Sequence, residues 1–129
     1  MPKSELKPSN FFNPDTQLAA LCLIACPGAE ELANKIDKHL VQWAKEVGMK
    51  KDTFLLECAC PRFQNGDAKG LVKQSVRGDD IFLVCDPGNY SLTYTLFGYE
   101  NHMSPDDHYA NLKRLIQAMA GRAHRISVI

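Results

Sequence analysis

At 129 residues the chain is about one domain long, and folding at that size hides roughly two-thirds of the extended surface. Its 15 basic and 15 acidic residues cancel, so bulk charge offers no attraction for nucleic acid or for an acidic membrane surface. No segment reaches the ~18 apolar residues of a membrane span, and the polar, proline-bearing start is unlike a signal peptide. The five cysteines, Cys22, Cys26, Cys58, Cys60 and Cys85, are an odd number, and three of them lie inside apolar runs. That is the pattern of small buried thiols in a reducing compartment, so composition points to a cytoplasmic domain.

Residues 1–17 read as a flexible leader, with three prolines and an Asn13-Pro14 step, and residues 18–129 as one domain. The apolar run 18–25, bounded by Pro27-Gly28, predicts a buried strand. Residues 29–47 follow as a helix, with Leu32, Ile36, Leu40, Trp43 and Val47 on one face. Glu30 and Glu31 suit its N-terminus and Gly48 its stop. Strands are expected at 53–59 and 80–86, the second apolar enough to be covered on both faces. Between them, residues 60–78 are polar and of mixed charge, and Asn65-Gly66 is a strong turn signal, which predicts a β-hairpin flap. Residues 87–105 read as irregular, 106–120 as a helix with Leu112, Leu115, Ile116 and Met119 inward, and 125–129 as a last strand.

This alternation implies an α/β domain with a mostly parallel sheet flanked by helices. Ligands of such sheets gather beyond the carboxyl ends of the strands. The sequence stops on a strand before its loop, so the chain is expected to be the front part of a longer protein.

Few chemical motifs stand out. There is no Walker loop and no Gly-x-Gly-x-x-Gly. The turn Cys26-Pro27-Gly28-Ala29 could bring helix N–H groups near a phosphate, but a plain strand-to-helix turn explains it as well. Cys58-x-Cys60 falls short of the four ligands that zinc takes and of the two-residue spacing of redox pairs. The two thiols are moreover expected on opposite faces of their strand. His102 and His108 around Asp106-Asp107 could form a ligand cluster, yet a loop leading into a capped helix is the simpler reading. Cys85 has no basic neighbour in its apolar strand and reads as structural. No catalytic residue and no metal ligand emerges.

The flap is different. Phe63 can stack on a base, Asn65 offers a donor and an acceptor to a base edge, and Asp67 can accept from an exocyclic amine. Arg62 and Arg77 stand at its two ends as cations for phosphates, and Asp67, Lys69, Leu71 and Lys73 are expected to share one face. The residues alone leave two readings open: an adenine-reading hairpin, or a solvated loop of mixed charge.

Residues 62–84, RFQNGDAKGLVKQSVRGDDIFLV, resemble the N-terminal domain of ribose-phosphate pyrophosphokinases. Members of that family typically show Arg/Lys-Phe-Ser-Asn/Asp-x-Glu, then a Ser/Asn-Val-Arg-Gly turn and an acidic-start apolar strand. The helix carrying Glu31-Leu32-Ala33 and Ile36 is similar to the family's first helix. Arg125-Ile126 with Val128-Ile129 resembles the strand leading to its ATP-binding loop. The resemblance implies a type I phosphoribosyltransferase-like fold. It also implies a cytoplasmic homo-oligomer whose full-length protein uses ATP and magnesium to transfer diphosphate to ribose 5-phosphate, making phosphoribosyl pyrophosphate. Phe63, Asn65 and Asp67 would then be nucleotide-binding, with Ser75 and Arg77 contacting a regulatory phosphate at a subunit interface.

Three departures accompany it. Asp67 stands where the family has Glu. The usual Asn-Asp-Asn-Leu helix start is Asp106-Asp107-His108-Tyr109, after an insertion at about residues 91–103. The Arg-Gln-Asp loop, the magnesium-holding histidine and aspartate, and the ribose-phosphate loop are all expected beyond this chain. Two alternatives remain: a non-catalytic regulatory subunit of the same fold, or a plain protein-interaction domain.

Overall fold

The computed structural model describes residues 7–13, 15 and 17–129, the side chain of Asn10 excepted. Of the leader, residues 1–6, 14 and 16 lie outside the described residues. The part described is packed rather than loose: α1 (Pro8–Phe11) is one helical turn. Phe12 behind it is only 4% exposed and stacks on Phe54, while Phe11 stacks on Trp43. Aromatic area buried against the domain offsets the ordering of this short turn.

β1 (Leu21–Ala25) and β5 (Asp80–Val84) form the centre of a parallel sheet. β2 (Leu55–Leu56) lies on one side and β8 (Arg125–Val128) on the other, giving the order β2-β1-β5-β8. α2 (Glu30–Glu46) and α3 (Pro105–Met119) cover its two faces. Side-chain alternation sorts the central strands between them. Cys22, Ile24, Ile81 and Leu83 join Leu112, Leu115, Ile116 and Met119 of α3 in one core. Leu23 and Phe82 join Ile36, Leu40, Trp43 and Ala44 of α2, with Phe12 and Phe54, in another. Because both faces are covered, these strands read as continuous apolar runs.

The stretch predicted as one strand at 53–59 is two. Leu55–Leu56 pairs in parallel with β1, and Cys58–Ala59 (β3) leaves the sheet to pair antiparallel with β4 (Leu71–Val72). Glu57 sits at the break: its N–H donates to the Gln74 side chain and its carbonyl accepts from Lys73. Asp37 of α2 anchors the start of β2 by accepting from the Phe54 N–H at 2.6 Å and the Thr53 hydroxyl at 2.9 Å.

Residues 87–105 are not irregular throughout. β6 (Thr93–Leu96) and β7 (Tyr99–His102) make an antiparallel hairpin turned at Phe97-Gly98. Phe97 adopts φ 49° and Gly98 φ 80°, the pair of positive values a type I′ turn needs. Phe-Gly lacks the Asn-Gly or Asp-Gly signature, which is why the hairpin is hidden in the sequence. Among the described residues no helix is long and apolar enough to cross a membrane, and all five cysteines are free.

Candidate functional site

The flap is the predicted hairpin. Beyond the β3–β4 pair, Arg62 bridges Ala68, the Phe63 N–H donates to the Asp67 carbonyl at 2.7 Å, and the Gly66 N–H to the Phe63 carbonyl at 2.9 Å. Gly66 takes φ 90°, a value that only glycine reaches cheaply. The Asn65 side-chain oxygen accepts from the Asp67 N–H at 3.1 Å, closing a local turn. One tight turn thus carries Phe63, Asn65 and Asp67, all exposed, Phe63 at 49%. The structure brings the three predicted nucleotide-binding residues together at one tip.

Each is held differently. Asp67 Oδ1 accepts from the Ala68 N–H at 2.8 Å and from Arg114 Nη2 at 3.1 Å. These hydrogen bonds, the Ala68 one foremost, hold its carboxyl below the ordinary range. Arg114 also donates to Asn111, so the pair ties the flap tip to the middle of α3. Gly70 allows the approach: a Cβ there would stand 2.4 Å from the Arg114 carbonyl oxygen.

Arg62 is not a free cation for phosphate. Its Nη1 donates to the Gly66 carbonyl at 2.9 Å, its Nη2 lies 3.5 Å from Asp107, and its guanidinium sits 3.7 Å from the Tyr94 ring centre. Burial pushes the Asp107 carboxyl up, but hydrogen bonds from the Ser104 backbone and hydroxyl, with the Arg62 charge, outweigh it and hold the group low. Lys73 is likewise engaged, in an ion pair with Glu57 at 2.9 Å.

Ser75 and Arg77 occupy a second turn, past β4. Both are exposed, Val76 between them is buried, and Ser75 Oγ accepts from the Arg77 N–H at 3.4 Å. They border a concavity of ≈ 470 Å³ that Gln74, Ala118 and Arg122 also line. Sequence reasoning missed Arg114, Tyr94 and Arg122. Each meets its flap partner across a long stretch of chain, and helix or strand periodicity carries no sign of that.

The remaining candidates resolve into structure. In the turn after β1 the Gly28 N–H donates to Glu30 Oε2 at 2.8 Å, so a carboxylate already fills the place a phosphate would take. Ser104 and Asp107 form a capping box at the start of α3. His108 is buried against the Asn89 carbonyl, and His102 stacks on Tyr90. Cys58 and Cys60 pack against the same core, not on opposite faces; residues two apart on a strand share a face, and the expectation was wrong. Burial pushes the Cys58 thiol up to about 11 and raises Cys26, Cys60 and Cys85 as well, which disfavours the nucleophilic thiolate. Among the described residues no three His, Cys, Asp or Glu side chains are grouped to hold a metal ion.

Comparison with curated proteins yields no match. A family model described as the N-terminal domain of ribose phosphate pyrophosphokinase matches residues 21–129. That span takes in the whole sheet, both long helices and the flap, and the chain therefore belongs to the family of ribose phosphate pyrophosphokinase N-terminal domains.

Proposed function

We propose that this chain is the adenine-binding and subunit-contacting part of a cytoplasmic ribose-phosphate diphosphokinase with a type I phosphoribosyltransferase-like fold. The full-length enzyme would transfer the β,γ-diphosphate of ATP to the C1 hydroxyl of ribose 5-phosphate. The observation that carries this reading is the exposed turn presenting Phe63, Asn65 and Asp67 side by side. In it Phe63 stacks on adenine and the Asn65 amide meets the base edge. Asp67 accepts from the exocyclic amine through the carboxylate that Arg114 steadies. Aspartate is one methylene shorter than the family's glutamate, and the Arg114 anchor on α3 sets how far it reaches.

Diphosphoryl transfer depends on positioning and charge neutralisation rather than on covalent side-chain chemistry. Magnesium would supply neutralising charge on the phosphates; among the described residues no three His, Cys, Asp or Glu side chains are grouped to hold it. Ser75 and Arg77, with Arg122 beside them, form the phosphate-binding turn proposed for a contact between subunits of a homo-oligomer.

The test is formation of phosphoribosyl pyrophosphate from ATP and ribose 5-phosphate by the full-length protein, with Phe63→Ala alongside. Product, and an ATP affinity that falls by about 1–3 kcal/mol in the variant, support the reading, taking the range for base stacking on an aromatic. The β6–β7 hairpin, which falls where the resemblance implies an insertion, favours as second reading a non-catalytic subunit that regulates active ones. Folded protein that binds ATP but makes no product would select it. Unchanged ATP affinity in Phe63→Ala would point instead to a plain interaction domain.

A further inference from the structure

The β6–β7 hairpin does more than join β5 to α3. Its register pairs Tyr94 with Asn101 and Leu96 with Tyr99, and residues two apart on a strand share a face. That face meets the flap twice. The Tyr94 ring lies 3.7 Å from the Arg62 guanidinium carbon, and Leu96 Cδ2 lies 3.6 Å from where a Cβ on Gly66 would stand. The Arg62 side chain, only 15% exposed, is enclosed by three groups: the Tyr94 ring, the Asp107 carboxylate and the Gly66 carbonyl. Its bond to Gly66 crosses the turn that carries Asn65. Glycine at φ 90° supplies little steric restraint of its own, so the Gly66–Asp67 peptide is held by its hydrogen bonds: its N–H by Asn65 Oδ1 and its carbonyl by Arg62.

We propose that Tyr94 is a positioning residue for base recognition: it holds Arg62, and Arg62 holds the Gly66 carbonyl that shapes the Phe63–Asn65–Asp67 turn. This rests on the adenine-reading function proposed above. A cation–π contact to a shielded guanidinium strengthens as water is excluded, and a turn held in its binding shape loses less freedom when the base arrives. The brace has no bearing on phosphate contacts made elsewhere in the protein, so its effect belongs to the base alone.

The experiment compares binding of magnesium-ATP and of magnesium-tripolyphosphate, which lacks a base, to the full-length protein by calorimetry. Tyr94→Leu keeps the apolar bulk and removes the π face; Tyr94→Phe keeps both. The expected result is a loss of ATP affinity of roughly 2- to 30-fold in Tyr94→Leu, the span of cation–π strengths. Tripolyphosphate binding should stay unchanged, and Tyr94→Phe should match the parent protein. Arg62→Lys, which keeps the charge but loses the planar fork, should reproduce the selective loss and serves if Tyr94→Leu does not fold. Equal losses for both ligands would overturn the proposal by showing a general structural role. Unchanged ATP affinity in Tyr94→Leu, or in Arg62→Lys if that variant serves, with a loss in Phe63→Ala, would overturn it and leave the adenine reading standing. Unchanged ATP affinity in Phe63→Ala as well would remove both.

Discussion

Replacing Gly70 with alanine is expected to lift the flap off α3. A Cβ at Gly70 would stand 2.4 Å from the Arg114 carbonyl oxygen, 2.5 Å from its carbon and 2.8 Å from the Leu115 nitrogen. All three are backbone atoms in the interior of a 15-residue helix. They cannot withdraw without breaking the helix's own hydrogen bonds, so the flap has to move instead. Movement pulls Asp67 from Arg114 and opens the buried seat of Ala68. Overpacking typically costs about 1–3 kcal/mol, and a clash with immovable backbone belongs at the upper end. At about 3 kcal/mol the thermal midpoint should fall by roughly 10 °C for a domain of this size. Thermal unfolding followed by circular dichroism measures it, with Gly88→Ala as control. Gly88 has nothing nearer than an Asp86 oxygen at 3.5 Å and no positive φ, so its variant should stay within about 0.5 kcal/mol of the parent. A Gly70→Ala midpoint equal to the control's would refute the close packing of flap on helix.

Three further outcomes follow from individual contacts. Asp37→Ala should destabilise the domain by about 2–4 kcal/mol in urea titration, because it strands the buried Phe54 N–H and frees the Thr53 hydroxyl; a loss below about 0.5 kcal/mol would contradict that anchor. The Asp67 carboxyl sits below its ordinary value when folded. Its contribution is therefore complete above the unfolded value of about 3.9 and fades as pH falls through the lower folded value. Asp67→Asn should flatten the stability–pH curve in that acid window and leave its shape near neutrality alone; an unaltered acid limb would show that Asp67 is unpaired in solution. At pH 8, Cys58 with its pKa raised to about 11 should react with iodoacetamide roughly two hundredfold more slowly than a free cysteine, from its thiolate fraction alone. Rapid labelling detected by mass spectrometry would refute the burial.

Much of the scaffold is visible in the sequence. The apolar runs ending at Ala25 and Val84, and the three-and-four spacing from Leu32 to Trp43, depend on local period, and local period survives any tertiary arrangement. Asn65-Gly66 marked the flap's turn for the same reason: one residue in left-handed backbone is a local requirement. The family pattern around Phe63, Asn65 and Asp67 is equally local, so the resemblance could rest on it. What tertiary structure decided is which of these groups remain available. Arg62 and Arg77 look alike in the sequence, both cations at the ends of a polar hairpin. Only the fold shows Arg62 spent on Tyr94, Asp107 and Gly66, while Arg77 lies exposed beside Arg122. The split of 53–59 at Glu57, the seating of Phe12 and the pairing of Asp67 with Arg114 are likewise settled by partners far along the chain. The physical reason is one of range: backbone preference acts over a few residues, whereas ion pairs, ring contacts and backbone-to-backbone fits depend on where the whole fold brings distant residues.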